Sequence, residues 1–131
     1  MIEQLFTAVL LVASSGQAIE RPDRTETFSD EYKACAPAGT SNADLSVCQE
    51  AELRRQTAKL DDLIAYYRPV LHPHELADLE RGQTAWAEET EKQCDDEASE
   101  LEGAAFGRVY SECRIASIVA RIHELDPDVA D

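Results

Sequence analysis

The stretch HPHELADLERGQTAWAEETEKQC, residues 72–94, carries the clearest helical pattern of the chain. Pro73 suits the first position of a helix because proline has no amide hydrogen to leave unpaired. Beyond it, one stripe recurs at steps of three or four residues, the spacing of a single helix face: Leu76, Leu79, Gln83, Trp86, Thr90 and Cys94. The stretch therefore predicts a long helix with one face turned toward a core.

Two further long helices are predicted, one on each side of this stretch. The first starts at an N-cap within residues 40–42 and continues at helical spacing to Arg68, where a following proline interrupts it. The last covers residues 109–125, after a predicted loop over residues 103–107. Short connections make consecutive helices antiparallel. The sequence therefore predicts an all-α domain over residues 41–127, an antiparallel three-helix bundle.

The N-terminal part has a different character. Residues 5–13 form an apolar run, which is too short for a bilayer because a spanning helix needs about 20 apolar residues. Small residues at Gly16 and Ala18 match the −3 and −1 positions of a signal-peptidase site. These features predict a signal peptide over residues 1–18 and a secreted or periplasmic protein. Residues 19–40 lack apolar periodicity, and we expect them to form an extended N-terminal arm.

Four cysteines follow the predicted signal peptide, and an even number in an exported chain predicts two disulfides. Their spacings of 13, 46 and 19 residues do not resemble the close pairs of a zinc site. In an antiparallel bundle all four would gather at one end. Their heights along the bundle favour two of the conceivable bridges, namely Cys35–Cys94 and Cys48–Cys113.

Charge narrows the range of partners. The chain has 131 residues, with 12 Lys and Arg against 27 Asp and Glu, for a net charge of −15. Such a surface repels nucleic acid and anionic membranes and favours a basic protein partner. Eight acidic residues stand close together with Lys92 as the only cation among them: Glu88, Glu89, Glu91, Asp95, Asp96, Glu97, Glu100 and Glu102. This block is either a solvated helix surface or a binding surface that steers a basic partner.

Residues suited to catalysis are scarce in this sequence. His72 and His74 flank Pro73 at a helix start, and His123 lies near a helix C-terminus, where the helix dipole favours a cation. The chain has no G-x-S-x-G motif and no glycine-rich phosphate loop. We therefore expect no enzyme activity, no cofactor and no metal site.

A known family resembles this pattern. The motif Gln83-x-x-Trp86 in the second long helical segment, framed by four cysteines, is similar to the LprI-type lysozyme inhibitors, which are small secreted helical domains. The likeness covers residues 35–125 and includes five motif positions: Leu60, Gln83, Trp86, Arg121 and Leu125. Thr90 departs from it, since the family usually has arginine there. The resemblance implies a secreted inhibitor with lysozyme as its partner. A structural or adaptor domain of the cell envelope, without lysozyme binding, is the alternative.

Overall fold

The computed structural model describes residues 24–128, and every regular element within that range is helical. The elements are a short 3₁₀ helix over Arg24–Thr27, α1 over Asp30–Cys35, α2 over Asn42–Tyr67, α3 over Pro73–Ala98 and α4 over Gly103–Leu125. This confirms the all-α prediction with three long helices. The predicted signal peptide lies outside the described residues.

The ends of the long helices follow local chemistry. At the start of α2 the Ser41 hydroxyl accepts a hydrogen bond from the Asp44 amide at 3.2 Å, as expected of an N-cap. The loop predicted over residues 103–107 is wrong, because α4 already begins at Gly103. Gly103 has φ +60°, the left-handed conformation that favours glycine, and it therefore makes the turn itself. Gly107 lies inside the helix that follows.

Contacts between the helices fix their directions. Near the start of both α2 and α4, the Gln49 side chain donates to the carbonyl of Arg108 at 3.1 Å. Near their ends, the Tyr67 hydroxyl donates to the carbonyl of Leu125 at 2.7 Å. Helices α2 and α4 are therefore parallel. Helix α3 meets α4 with Cys94 beside Cys113, and it runs in the opposite direction, as an antiparallel three-helix bundle requires.

The core of the bundle has two parts, both built on α4. At one end, Cys48 and Ile115 are buried with Phe28 and Tyr32. At the other end, Leu60 of α2 packs against Ile118 and Ile122 of α4, with five further apolar side chains around them that include Trp86 and Leu125 of the family motif. Helix α4 thus supplies the surface against which the other elements pack.

The segment predicted as an extended arm contains two short helices and packs on the bundle. We call residues 24–36 the N-terminal strap. Phe28 and Tyr32 of the strap are only 3% and 4% exposed, and their rings meet edge to face at 5.0 Å. The apolar residues that anchor the strap are too few to show a helical period, which is why the sequence predicted an arm.

The disulfides connect different partners from those predicted. The bridges are Cys35–Cys48 and Cys94–Cys113, so the prediction of Cys35–Cys94 and Cys48–Cys113 is wrong. All four cysteines do lie toward one end, as their heights suggested. Height does not specify the lateral neighbour, however. The strap folds back onto the first turns of α2, which brings the Cα atoms of Cys35 and Cys48 within 5.7 Å.

Candidate functional site

The acidic block is exposed at all but one position. We call the acidic face the seven exposed members of that block: Glu88, Glu89, Glu91, Asp95, Asp96, Glu100 and Glu102. Among residues 24–128, no lysine or arginine forms a salt bridge with any of these seven carboxylates. The acidic face therefore presents negative charge that the described part of the fold does not pair.

The first half of α3 differs in this respect. Its Glu75 carboxylate accepts a hydrogen bond from the amide of His72 at 3.2 Å. Asp78 forms a salt bridge with Arg81, and Glu80 lies 3.6 Å from Arg68. Each acidic residue of this half thus has a partner within the protein. Within α3, the carboxylates that form neither a salt bridge nor a hydrogen bond with residues 24–128 therefore all lie in the second half of the helix.

Helical spacing divides the acidic face into two flanks. Glu88, Glu91 and Asp95 lie on one side of α3, at intervals of three and four residues, and Glu89 and Asp96 lie on the other. The two grooves beside the helix agree with this division. Glu91 lines the groove that contains Tyr110 and Arg114 of α4, whereas Glu89 lines the groove that contains Arg121.

Glu97, the eighth residue of the predicted site, is part of the fold. Its two carboxylate oxygens each accept a hydrogen bond of 2.8 Å from the Arg24 guanidinium, and its side chain is 15% exposed. The hydrogen bonds from Arg24 to this carboxylate raise the pKa of the arginine. Glu97 therefore joins α3 to the N-terminal strap and does not belong to the acidic face.

The family-motif residues lie where the long helices meet, with Leu60 on α2, Gln83 and Trp86 on α3, and Arg121 and Leu125 on α4. The Arg121 Nε donates to the Gln83 side-chain oxygen at 2.7 Å, and an Arg121 terminal nitrogen lies 3.1 Å from the Glu124 carboxylate. The other three motif positions, Leu60, Trp86 and Leu125, belong to one apolar cluster. These contacts hold α3 against α4, so the motif positions the helix that carries the acidic face.

Glu52 is a buried carboxylate that the sequence analysis missed. Its side chain is 0% exposed, and it accepts hydrogen bonds of 2.6 Å from both the amide and the hydroxyl of Ser29. Arg55 donates to it at 2.8 Å and Gln56 at 3.4 Å. Burial acts to raise the pKa of Glu52, but these hydrogen bonds favour the ionised form and together lower it.

A signal for this buried cluster was present in the sequence. Gln49, Glu52, Gln56 and Leu60 follow one another at helical spacing, and all four are buried on the inner face of α2. Because three of the four are polar, they do not form an apolar stripe, and the pattern of apolar residues does not indicate this buried face. Gln49 and Glu52 have partners far away in the sequence, Arg108 and Ser29, whereas Gln56 donates to Glu52 on the same helix.

The remaining predicted features are surface residues. His72 and His74 are exposed, with their rings stacked 6.1 Å apart, and His123 is half-buried. Over residues 24–128, no cluster of three or more histidine, cysteine or acidic side chains is arranged to hold a metal ion. Within the same range, no helix combines the length and hydrophobicity needed to cross a membrane.

Comparison with known proteins gives one match. No curated protein and no solved structure matches the chain. The family model described as "Lysozyme inhibitor LprI" matches residues 34–125, a range that contains both disulfides, the acidic face and all five motif positions. Because that match covers more than half of the chain, the protein belongs to the LprI lysozyme inhibitor family.

Proposed function

We propose that the protein is exported and inhibits a basic lysozyme, which it binds through the acidic face. Membership of an inhibitor family supports the activity, and the seven carboxylates of the acidic face supply charge complementary to a basic partner. Two disulfides favour an oxidising compartment outside the cytosol. The observation that carries the proposal is the absence of salt bridges at these seven carboxylates within residues 24–128.

The acidic face is suited to steering an encounter. Charges of one sign concentrated on one helix attract an oppositely charged protein and raise association rates by about 10- to 1000-fold. Cys94–Cys113 and the contact between Gln83 and Arg121 fix this helix to α4. A rigid helix loses little conformational entropy on binding. In the proposed mechanism, the acidic face approaches the positively charged rim of the enzyme and blocks the entry of substrate.

A turbidity assay tests the activity directly. A basic lysozyme clears a suspension of bacterial cell walls, and the purified oxidised protein is added at micromolar concentration in low salt. We expect slower clearing, with inhibition that weakens as ionic strength rises because salt screens charges beyond about 10 Å at 0.1 M. Unchanged clearing would contradict the inhibitor proposal and favour an adaptor role in the envelope.

A pair of matched variants tests the proposed surface. The first replaces three carboxylates of one flank of the acidic face, as Glu88→Gln, Glu91→Gln and Asp95→Asn. The control removes three exposed charges near the opposite end of the bundle, as Asp61→Asn, Asp62→Asn and Asp128→Asn. We expect the first variant to weaken inhibition about 10-fold and to reduce its salt dependence, since rim charges act mainly on association. Equal effects of the two variants would exclude a localised acidic site.

Export has its own test. We expect the protein recovered from the extracytoplasmic fraction to begin near Ile19 and to contain no free thiol. Mass spectrometry of the intact, non-reduced protein measures both properties at once. A full-length chain with four free thiols would contradict export.

A further inference from the structure

We propose that Cys35–Cys48 is a redox-operated latch, which a dithiol reductant opens while Cys94–Cys113 stays oxidised. The two bridges differ in exposure. Cys35 lies on the surface at the end of α1, although its partner Cys48 is only 2% exposed. Cys94 and Cys113 are 0% and 1% exposed. Because a thiolate must reach a sulfur atom to exchange with it, only the first bridge is open to attack in the folded protein.

The latch holds the N-terminal strap, whose Phe28 and Tyr32 side chains are buried against the bundle. At one end Arg24 binds Glu97 of α3, and in the middle Ser29 binds Glu52 of α2. Cys35 fastens the other end covalently to α2. Helix α1 has six residues, too few for a helix that is stable on its own. Its structure therefore depends on remaining attached to the bundle.

Opening the latch is a two-electron exchange. A thiolate of the reductant attacks the Cys35 sulfur, and the Cys48 sulfur leaves as a thiolate that takes up a proton. The second thiol of the reductant then breaks the mixed disulfide, releases Cys35 as a thiol and leaves the reductant oxidised. The two cysteines are 13 residues apart in the sequence. When the bridge opens, the strap regains the conformational freedom that a loop of this size had removed, and the ratio of detached to attached strap rises about 100-fold.

Release of the strap changes the surface proposed to bind lysozyme. When Arg24 leaves, its positive charge is withdrawn from the Glu97 carboxylate, and the charge beside the acidic face becomes more negative. Reduction would then strengthen the attraction for a basic partner. This consequence depends on the proposed function, whereas the latch itself does not.

The latch is tested by graded reduction of the native oxidised protein. The protein is treated with increasing dithiothreitol, its free thiols are trapped with iodoacetamide, and the labelled peptides are identified by mass spectrometry. We expect Cys35 and Cys48 to be labelled at least 10-fold faster than Cys94 and Cys113. The same experiment in urea, where all sulfurs are accessible, should bring the two rates together. Equal rates in the folded protein, or faster loss of Cys94–Cys113, would overturn the proposal.

Strap release is measured on the selectively reduced and alkylated protein. We expect trypsin to cut after Lys33 at least 10-fold faster than in the oxidised protein, because α1 must unwind to enter a protease. Circular dichroism should still show the three long helices. Unchanged cutting would show that the strap stays attached and would overturn the release step. The variant Cys35→Ser/Cys48→Ser provides a second sample without the latch.

The effect on the proposed activity has a separate readout. In the turbidity assay at low salt, we expect the selectively reduced protein to inhibit about 2- to 3-fold more strongly than the oxidised protein. The gain should vanish at high salt. No gain at low salt would overturn only the link between strap and acidic face, since thiol labelling and proteolysis do not involve lysozyme. Absence of inhibition by either form would instead contradict the proposed function.

Discussion

Two groups of carboxylates in this acidic chain have opposite environments. Glu52 and Glu97 are buried or half-buried, and each accepts hydrogen bonds from the N-terminal strap. The acidic face is exposed and forms no salt bridge with the described residues. Asp95, Asp96 and Glu97 are adjacent in sequence, yet only Glu97 turns toward a partner inside the fold. The comparison teaches that the acidic residues here serve two purposes, attachment of the strap and, as we propose, recognition of a partner.

The largest effect that this comparison predicts is at Glu52. Glu52→Ala leaves the Ser29 amide and the Arg55 guanidinium without their acceptor, and we expect the free energy of unfolding to fall by about 3 kcal/mol. Urea denaturation monitored by circular dichroism measures the change. Glu50→Ala is the matched control on the same helix, since Glu50 is exposed and its salt bridge within residues 24–128 is to Arg54, and it should cost less than about 1 kcal/mol. Equal losses would show that burial of Glu52 adds no stability.

The pH dependence of stability should also come from Glu52. Its pKa is lower in the folded protein than its ordinary value of 4.5, so folding is favoured wherever the group is ionised. That contribution is present above pH 4.5 and is lost as the pH falls from there through the folded pKa. We expect urea midpoints of the wild-type protein to fall more steeply over this window than those of Glu52→Gln. If the urea midpoints of the two proteins fall equally with pH, the pH dependence of stability comes from groups other than Glu52.

A smaller effect is expected where the strap meets α3. Arg24→Met keeps the aliphatic stem but removes the guanidinium from Glu97, and we expect a loss of about 1 kcal/mol because the pair is only partly shielded from water. Urea denaturation again measures the loss. Lys33→Met is the control, an exposed strap residue with no ion pair to the bundle among residues 24–128. A larger loss in the control would contradict the assignment of Glu97 to the fold.

The smallest effect on stability is expected at the acidic face. Removing Glu88, Glu91 and Asp95 by amide substitution breaks no salt bridge within residues 24–128, so the free energy of unfolding should change by less than about 0.5 kcal/mol. The same variant should inhibit lysozyme about 10-fold more weakly, which separates the carboxylates of recognition from those of the fold. A fall in stability of 1 kcal/mol or more would mean that these carboxylates have partners in the fold.

Several parts of the fold were predictable because their signals are local. The stripe from Leu76 to Cys94 predicted α3, and the N-cap serine with the proline after Arg68 placed α2. The family motif at Gln83 and Trp86 also identified residues that lie together between helices. Each of these signals depends on the spacing of side chains along one helix.

Features that depend on contacts between elements were not predictable in this way. The strap was taken for an extended arm because its buried apolar side chains, Phe28 and Tyr32, are too few to make a period. Glu97 was grouped with the acidic face because its neighbours in sequence are acidic. Its partner Arg24 lies 73 residues away, and no pattern within α3 specifies that contact.

The sequence by itself determined the helical class, the bounds of α2, the start of α3, the end of α4, the family and the acidic character of the second half of α3. Helical periodicity and composition are properties of consecutive residues, so they can be recognised without knowing which residues are neighbours in the folded protein. The tertiary structure alone decided which cysteines pair, that Glu52 is buried, and that Glu97 binds Arg24 while seven other carboxylates remain exposed. These outcomes depend on the lateral approach of separate elements, because a disulfide or a buried ion pair forms only between groups a few ångströms apart.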